Sequence, residues 1–77
     1  MISLEEFVKS IENELEDIES GTLTPEKNYK ELDEWSSMYA LIIIAFVDSE
    51  FDVELTGDDL RKCNHLKDLY ELIKMKV

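Results

Sequence analysis

The 77-residue chain has few of the residues that build covalent cross-links, metal sites or catalytic centres. It contains one cysteine, Cys63, and one histidine, His65. A single cysteine cannot close an intrachain disulfide, and one histidine beside it gives no cluster with zinc-ligand spacing. We therefore expect a protein of the reducing cytoplasm that folds as one small domain, residues 1–77, without a metal.

Basic residues and long apolar runs are also scarce. Eight lysines and arginines stand against nineteen acids, a net charge of -11, and residues 1–59 alone carry a net charge of -14. Nucleic acids and anionic lipids repel such a chain, so basic proteins are the expected partners. The longest apolar run, residues 40–47, is too short to span a bilayer, and acidic residues near the N-terminus are unlike a signal peptide. We expect an unprocessed, soluble monomer that does not insert into membranes.

The first 18 residues predict an amphipathic helix. Ser3 and Glu6 have the spacing of a capping box, and Gly21 is expected to end the helix. Apolar residues recur every three or four positions and predict one buried stripe over about four turns: Leu4, Phe7, Val8, Ile11, Leu15 and Ile18. The acids between them are expected to face water, either as a docking face or as an ordinary solvated surface: Glu12, Glu14, Glu16 and Asp17.

A long connection follows the first helix. Residues 22–35 contain the only proline and no sustained period, which predicts a loop. Loops of this length in small domains are often held down by their own apolar residues. Here those residues are Leu23, Tyr29, Leu32 and Trp35.

Ser36 and Ser37 precede the most apolar part of the chain. Serine is a favoured helix N-cap, and a phosphate ester at this position would meet free N–H groups and the positive end of the helix dipole. The β-branched residues 41–44 could by themselves form a strand. The segment from residue 37 to 50 has helical length, cap residues and no Gly or Pro, so we predict a helix that is apolar nearly all round.

The last third of the chain predicts a short helix and a longer one. Thr56 is the expected cap of the short helix and Asn64 that of the last, with Lys74 and Lys76 complementing its dipole. The buried stripe of the last helix is predicted to be Leu66, Leu69, Tyr70, Leu72 and Ile73. The fold class is therefore all-α, with three main helices, one short helix and a long first crossover. Its core is expected to include Met38, Leu41, Ile44, Phe51, Leu55, Leu60, Leu66, Leu69 and Ile73.

Four segments together resemble an acyl carrier protein over nearly the whole chain. They are Ser37-Met38 with the apolar helix after it, Glu50-Phe51-Asp52-Val53-Glu54-Leu55, Asp58-Asp59, and Leu66-Lys67-Asp68-Leu69-Tyr70-Glu71-Leu72-Ile73. In that family an Asp-Ser-Leu motif opens the second helix and a Glu-Phe-Asp-Ile-Glu-Ile-like segment follows at a fixed distance. Ser37 lies at that distance from Phe51 without a gap.

The resemblance implies a carrier and not an enzyme. A phosphopantetheinyl transferase, using coenzyme A and magnesium, would attach 4'-phosphopantetheine to Ser37. Acyl or aminoacyl groups would ride on the arm as thioesters, and loading and acceptor enzymes would be the other partners. The resemblance further implies a partner-binding side on the second helix, for which the candidates are Ser36, Met38, Tyr39, Ile42 and Asp48.

Two positions depart from the family pattern. Ser36 replaces the usual Asp, so it can cap the helix but offers no carboxylate to a basic transferase. Ile42 stands where many fatty-acid carriers have Glu, although Asp48 keeps a later acidic position. These departures favour a specialised pathway carrier with an aminoacyl or short acyl cargo.

Several alternatives remain open at this point. Ser36 could be the modified residue, because Leu32 lies four positions before it, but this needs a polar Ser37 in an apolar position and a one-residue insertion before Phe51. A small acidic adaptor that binds a basic partner through its second helix without modification is the main functional alternative. The third alternative is a calcium-responsive protein, because the acids from Asp48 to Asp59 have some of the spacing of a calcium loop; Phe51 and Val53 do not fit such a loop, and its glycine is missing.

Overall fold

The structure, a computed structural model, describes residues 2–15, 18–19 and 21–77. This part of the chain contains four α-helices: α1 Leu4–Glu14, α2 Ser37–Phe51, α3 Gly57–Lys62 and α4 Leu66–Lys76. A 3₁₀ helix, Tyr29–Glu31, lies between α1 and α2, and the same residues form no strand beyond an isolated bridge between Asn28 and His65. The prediction of three main helices and one short helix is confirmed. None of these helices is long and apolar enough to cross a membrane.

The start and the buried stripe of α1 agree with the sequence pattern. The Ser3 hydroxyl accepts a hydrogen bond from the Glu6 N–H at 3.2 Å, and the Glu6 side chain in turn accepts from the Ser3 N–H, which completes the capping box. Side chains repeating every three or four positions then face α2 and α4, because one face of a helix repeats at that interval. Of the predicted stripe, Phe7, Val8 and Ile11 are buried on α1, and Leu4 is half-buried. Leu15 and Ile18 are also buried, although they lie beyond the end of the helix.

The end of α1 differs from the prediction, and one of its acids is buried. The helix ends at Glu14 instead of continuing towards Gly21. Glu12, expected to face water, is 8% exposed, and its Oε2 accepts hydrogen bonds from the N–H groups of Gly21 at 2.9 Å and Leu23 at 2.8 Å. The carboxylate thus holds the following segment against the side of α1. Glu14 is exposed as expected. Two further acids of the predicted face lie outside the described residues: Glu16 and Asp17.

The connection between α1 and α2 is anchored by its apolar residues, as predicted. Leu23, Tyr29 and Leu32 are buried, and Trp35 is half-buried against the core. The loop is also attached to the start of α4, where the Lys67 N–H donates to the Pro25 carbonyl at 2.9 Å. These contacts explain how so long a connection keeps a defined path in a small domain.

The helix α2 is apolar on all sides but buries only one of them. Its buried residues are Tyr39, Ile43 and Val47, spaced by one helical turn. Met38 and Leu41 lie on the opposite side and are 67% and 65% exposed, so their predicted place in the core is wrong. The helix ends at Phe51, and its C-cap Asp52 adopts the left-handed conformation with φ 56°. Asp tolerates this conformation better than most residues.

The short helix and the last helix complete the core. Thr56 caps α3 as predicted, in a capping box with Asp59. The N-cap of α4 is His65 and not Asn64, since the helix begins at Leu66. The Asp68 carboxylate accepts hydrogen bonds from the backbone N–H groups of both Asn64 and His65. Five residues of the predicted core are buried: Leu55, Leu60, Leu66, Leu69 and Ile73. Two other members of the predicted core, Ile44 and Phe51, are partly buried. In the predicted stripe of the last helix Tyr70 is buried, and Leu72 is only partly buried.

Because the Glu12 carboxylate is buried and hydrogen-bonded, we predict that removing it destabilises the folded protein. Glu12→Ala removes the acceptor of two backbone N–H groups and should lower the free energy of unfolding by about 2–3 kcal/mol. Urea unfolding measures this difference. Glu14→Ala is the matched control on the exposed side of α1 and should change stability by less than about 0.5 kcal/mol. Equal effects of the two substitutions would contradict a structural role for the Glu12 carboxylate.

Candidate functional site

Two adjacent serines at the start of α2 have different roles. Ser36 is the N-cap, and its backbone is extended. Its Oγ accepts a long hydrogen bond from the Tyr39 N–H, with 3.4 Å between the oxygen and the nitrogen. Ser37 is the first residue of the helix, and its side chain is exposed. The hydroxyl of Ser37 therefore stands at the positive end of a 15-residue helix, where an attached phosphate group is electrostatically favoured.

Three aromatic residues hold the start of α2 against the loop. The Trp35 ring packs on Tyr29 with the centroids 5.0 Å apart, and its other neighbour is the Tyr39 ring at 6.3 Å, in an edge-to-face arrangement. Such aromatic pairs contribute about 0.5–1.5 kcal/mol each beyond the area that they bury. Because Trp35 immediately precedes Ser36, this packing sets the position of both serines relative to the core.

The hydroxyl of Tyr29 joins the same loop to α3. It lies 2.6 Å from the Leu60 carbonyl oxygen and 3.0 Å from that of Cys63, so that its one proton is shared between two acceptors at the end of α3. Burial raises the pKa of Tyr29 well above its usual value, and the neighbouring acidic groups of Cys63 and Asp68 raise it further. The hydroxyl consequently remains a donor, and α3 stays attached beside the start of α2.

A cleft of about 540 Å³ lies between the start of α2, the end of the loop and α3. Ser36 and Ser37 are at its edge, and two basic residues, Lys30 and Arg61, also line it. Its apolar lining consists of Trp35, Ala40, Leu41, Ile44 and Leu60. The residues lining this cleft include no histidine and no carboxylate.

The predicted partner-binding residues do not all lie on one surface. Met38 and Asp48 are exposed on the side of α2 that faces away from the core, whereas Ile42 is half-buried and packs against the core. Tyr39 is 6% exposed and packs in the core. Helical spacing places Tyr39 with Ile43 on the inner face, away from the surface on which Met38 and Asp48 lie.

The structure gives no geometric support to the calcium site considered from the sequence, nor to Cys63 as a nucleophile. Within the part of the chain that the structure describes, no three or more His, Cys, Asp or Glu side chains are grouped so that they could hold a metal ion. Burial raises the pKa of the half-buried Cys63 thiol, and the nearby carboxylates of Asp68 and Asp59 add to this shift. A thiol with a raised pKa is less available as the reactive thiolate.

Two contributors to the site, Lys30 and Arg61, and the hydrogen bonds of a third, Tyr29, were not predicted from the sequence. Lys30 and Arg61 are 31 positions apart and meet in the cleft only because the loop crosses α3. Tyr29 was expected to help hold the loop, but its hydrogen bonds to α3 were not foreseen. No spacing pattern joins such distant positions. The one signal in the sequence that could have drawn attention to Lys30 is that residues 1–59 contain only three basic residues.

No protein-family model matches this chain, and a comparison with curated proteins finds no match. The functional interpretation therefore depends on the residues and geometry described above.

The division of roles between the two serines predicts different effects on stability. Ser36→Ala removes the N-cap and should lower the free energy of unfolding by about 1 kcal/mol. Ser37→Ala, one residue inside the helix, should leave it within about 0.5 kcal/mol of the wild-type value, because Ala is a good helix former. Chemical denaturation of the two variants provides the comparison. A larger loss for Ser37→Ala would show that the cap is assigned to the wrong serine.

The Tyr29 hydroxyl predicts a dependence on alkaline pH. Tyr29→Phe should cost about 1–2 kcal/mol near neutral pH, because it leaves buried carbonyl groups without a donor. The raised folded-state pKa means that the wild-type advantage is fully present below the unfolded pKa, about 10, and is lost as the pH rises above it. Unfolding of both proteins from pH 7 to pH 11 tests this expectation. An undiminished difference at pH 11 would contradict it.

Proposed function

We propose that this protein carries acyl or aminoacyl groups as thioesters on a 4'-phosphopantetheine arm attached to Ser37. The observation that carries the proposal is the exposed Ser37 hydroxyl at the first position of α2, with Ser36 occupied as the cap. The arm comes from coenzyme A through a phosphopantetheinyl transferase that uses magnesium. The resemblance to acyl carrier proteins supports this assignment through the spacing between Ser37 and the Glu50-Phe51-Asp52 segment.

The surroundings of Ser37 are compatible with a covalently attached phosphodiester. The N-terminus of α2 favours negative charge by about 0.3–1 kcal/mol at an exposed site. The adjacent cleft of about 540 Å³ has an apolar lining along which a flexible arm fits. The arm, when attached, supplies the thiol that forms the thioester. The residues of this chain provide the hydroxyl, the helix end and the cleft, and the partner enzymes perform every transfer.

The outer side of α2 is the proposed surface for these enzymes. Met38 and Leu41 are largely exposed apolar residues, Ile42 adds a half-buried one, and Asp48 adds a negative charge. A complementary partner would present an apolar depression bordered by basic side chains. With Ser36 in place of an acid, the transferase loses one electrostatic contact. We propose accordingly a monomeric carrier of a specialised cytoplasmic pathway, with aminoacyl or short acyl cargo.

An unmodified adaptor is the second candidate. The observation favouring it is again the exposure of Met38 and Leu41, because large apolar side chains on a surface often mark a protein contact. An adaptor would use the same side of α2 but would not need the Ser37 hydroxyl. Covalent modification therefore distinguishes the two candidates.

Mass spectrometry tests the carrier proposal directly. The purified chain is incubated with a promiscuous phosphopantetheinyl transferase, coenzyme A and magnesium, and the modified residue is located by peptide mapping. We expect one phosphopantetheine group on Ser37, no modification of Ser37→Ala, and retained modification of the matched control Ser36→Ala. Modification at Ser36 would move the site by one residue. A folded wild-type chain that stays unmodified with this transferase, and is also recovered unmodified after co-expression with its native one, would favour the adaptor.

A further inference from the structure

The cleft beside Ser37 differs in charge from the rest of the surface. The chain has nineteen acids and eight bases, yet the charged residues lining this cleft are two bases, Lys30 and Arg61. Three other surface clefts each include carboxylates, among them those of Glu12, Glu14 and Asp68. The charged residues of this cleft are thus opposite in sign to the net charge of the protein, which makes the cleft a local exception on an acidic surface.

The ammonium group of Lys30 is held in position by neutral oxygens. Its Nζ donates to the Arg61 carbonyl oxygen and to Asn64 Oδ1, both at 2.8 Å. A lysine ammonium has three N–H donors, so these two bonds leave a third for an incoming acceptor. Among the described residues no carboxylate forms a salt bridge with Lys30. Its positive charge is therefore anchored at the cleft without being neutralised by a direct ion pair.

Arg61 supplies a second cationic group from α3. Its guanidinium pairs with Asp58 one turn earlier on the same helix, and both side chains are largely exposed. A guanidinium has five N–H donors, and one carboxylate cannot occupy all of them. Arg61 can thus turn remaining donors towards the cleft that it lines, although Asp58 offsets part of its charge. Lys30 is for this reason expected to be the stronger determinant.

We propose that this cleft binds an oxyanion carried on a flexible, partly apolar chain. Lys30 and Arg61 contact the anion, and Trp35, Leu41 and Ile44 contact the chain. Two parts of a loaded arm have this chemistry: the phosphodiester beside Ser37 and a carboxylate at the far end of a short acyl cargo. That the site holds the attached arm in the cell rests on the proposed function. Binding of a free oxyanion, in contrast, is a property of the unmodified chain.

Three small probes distinguish the sources of the anion. The unmodified, isotope-labelled protein is titrated, with NMR detection, against 4'-phosphopantetheine, S-succinyl-pantetheine and S-butyryl-pantetheine. The first carries a phosphate, the second a carboxylate, and the third has a similar chain without an anionic group. We expect at least one of the anionic probes to bind about three- to tenfold more tightly than the butyryl compound, with shifts at Lys30, Ser37 and Arg61.

Matched variants identify the groups responsible. Lys30→Met should abolish most of the preference for anionic probes, Lys30→Arg should preserve it, and Arg61→Met should reduce it less. The controls Lys27→Met and Lys62→Met remove neighbouring bases that do not line the cleft and should retain the preference. Equal binding of all three probes to the wild-type protein would overturn the proposal. A control as damaging as Lys30→Met would also overturn it, since general attraction would then explain the preference.

The titration is independent of the modification experiment. If the chain shows the anion preference but never accepts phosphopantetheine, the oxyanion site is supported and the carrier function is contradicted. If the chain is modified at Ser37 but lacks the anion preference, the carrier function is supported and the oxyanion site is contradicted. The two proposals can therefore fail separately.

Discussion

The buried hydroxyl of Tyr29 is the contact on which the arrangement of the site depends. It connects the crossover loop to the end of α3 through the carbonyl oxygens of Leu60 and Cys63. The same ring packs against Trp35, the residue before the N-cap of α2. One side chain thereby sets the distance between α2 and α3. The cleft beside Ser37 exists in this form because those two helices and the loop are held together at that point.

The role of a charged residue in this protein depends on where the fold places it as well as on the overall charge of the chain. The Glu12 carboxylate is 8% exposed and is satisfied by two backbone N–H groups, so an acid that would ordinarily be solvated acts as a structural acceptor. Lys30 shows the converse case, because its ammonium is fixed by neutral oxygens in a cleft without acids. The net charge of -11 alone would suggest a uniformly anion-repelling surface. The folded chain instead has a local exception beside the proposed attachment residue.

The apolar character of α2 serves two surfaces. Tyr39, Ile43 and Val47 face the core, whereas Met38 and Leu41 remain exposed to solvent. A carrier must be recognised by several enzymes while staying folded on its own, and a helix with one apolar side inside and another outside suits that requirement. An adaptor would use the outer side in the same way. The Ser37 hydroxyl is the feature by which the two interpretations differ.

The sequence alone determined the helical fold, the buried stripes of α1 and α4, and the helix caps at Ser3, at Thr56 and at the Ser36–Ser37 pair. These features depend on local spacing and on side chains that satisfy nearby backbone groups. It also identified Ser37 as the candidate attachment residue. Tertiary structure alone decided the burial of Glu12, the exposure of Met38 and Leu41, and the meeting of Lys30 with Arg61. An all-round apolar helix carries no periodic signal for its inner side, and contacts over 31 positions depend on how the loop packs and not on any local pattern.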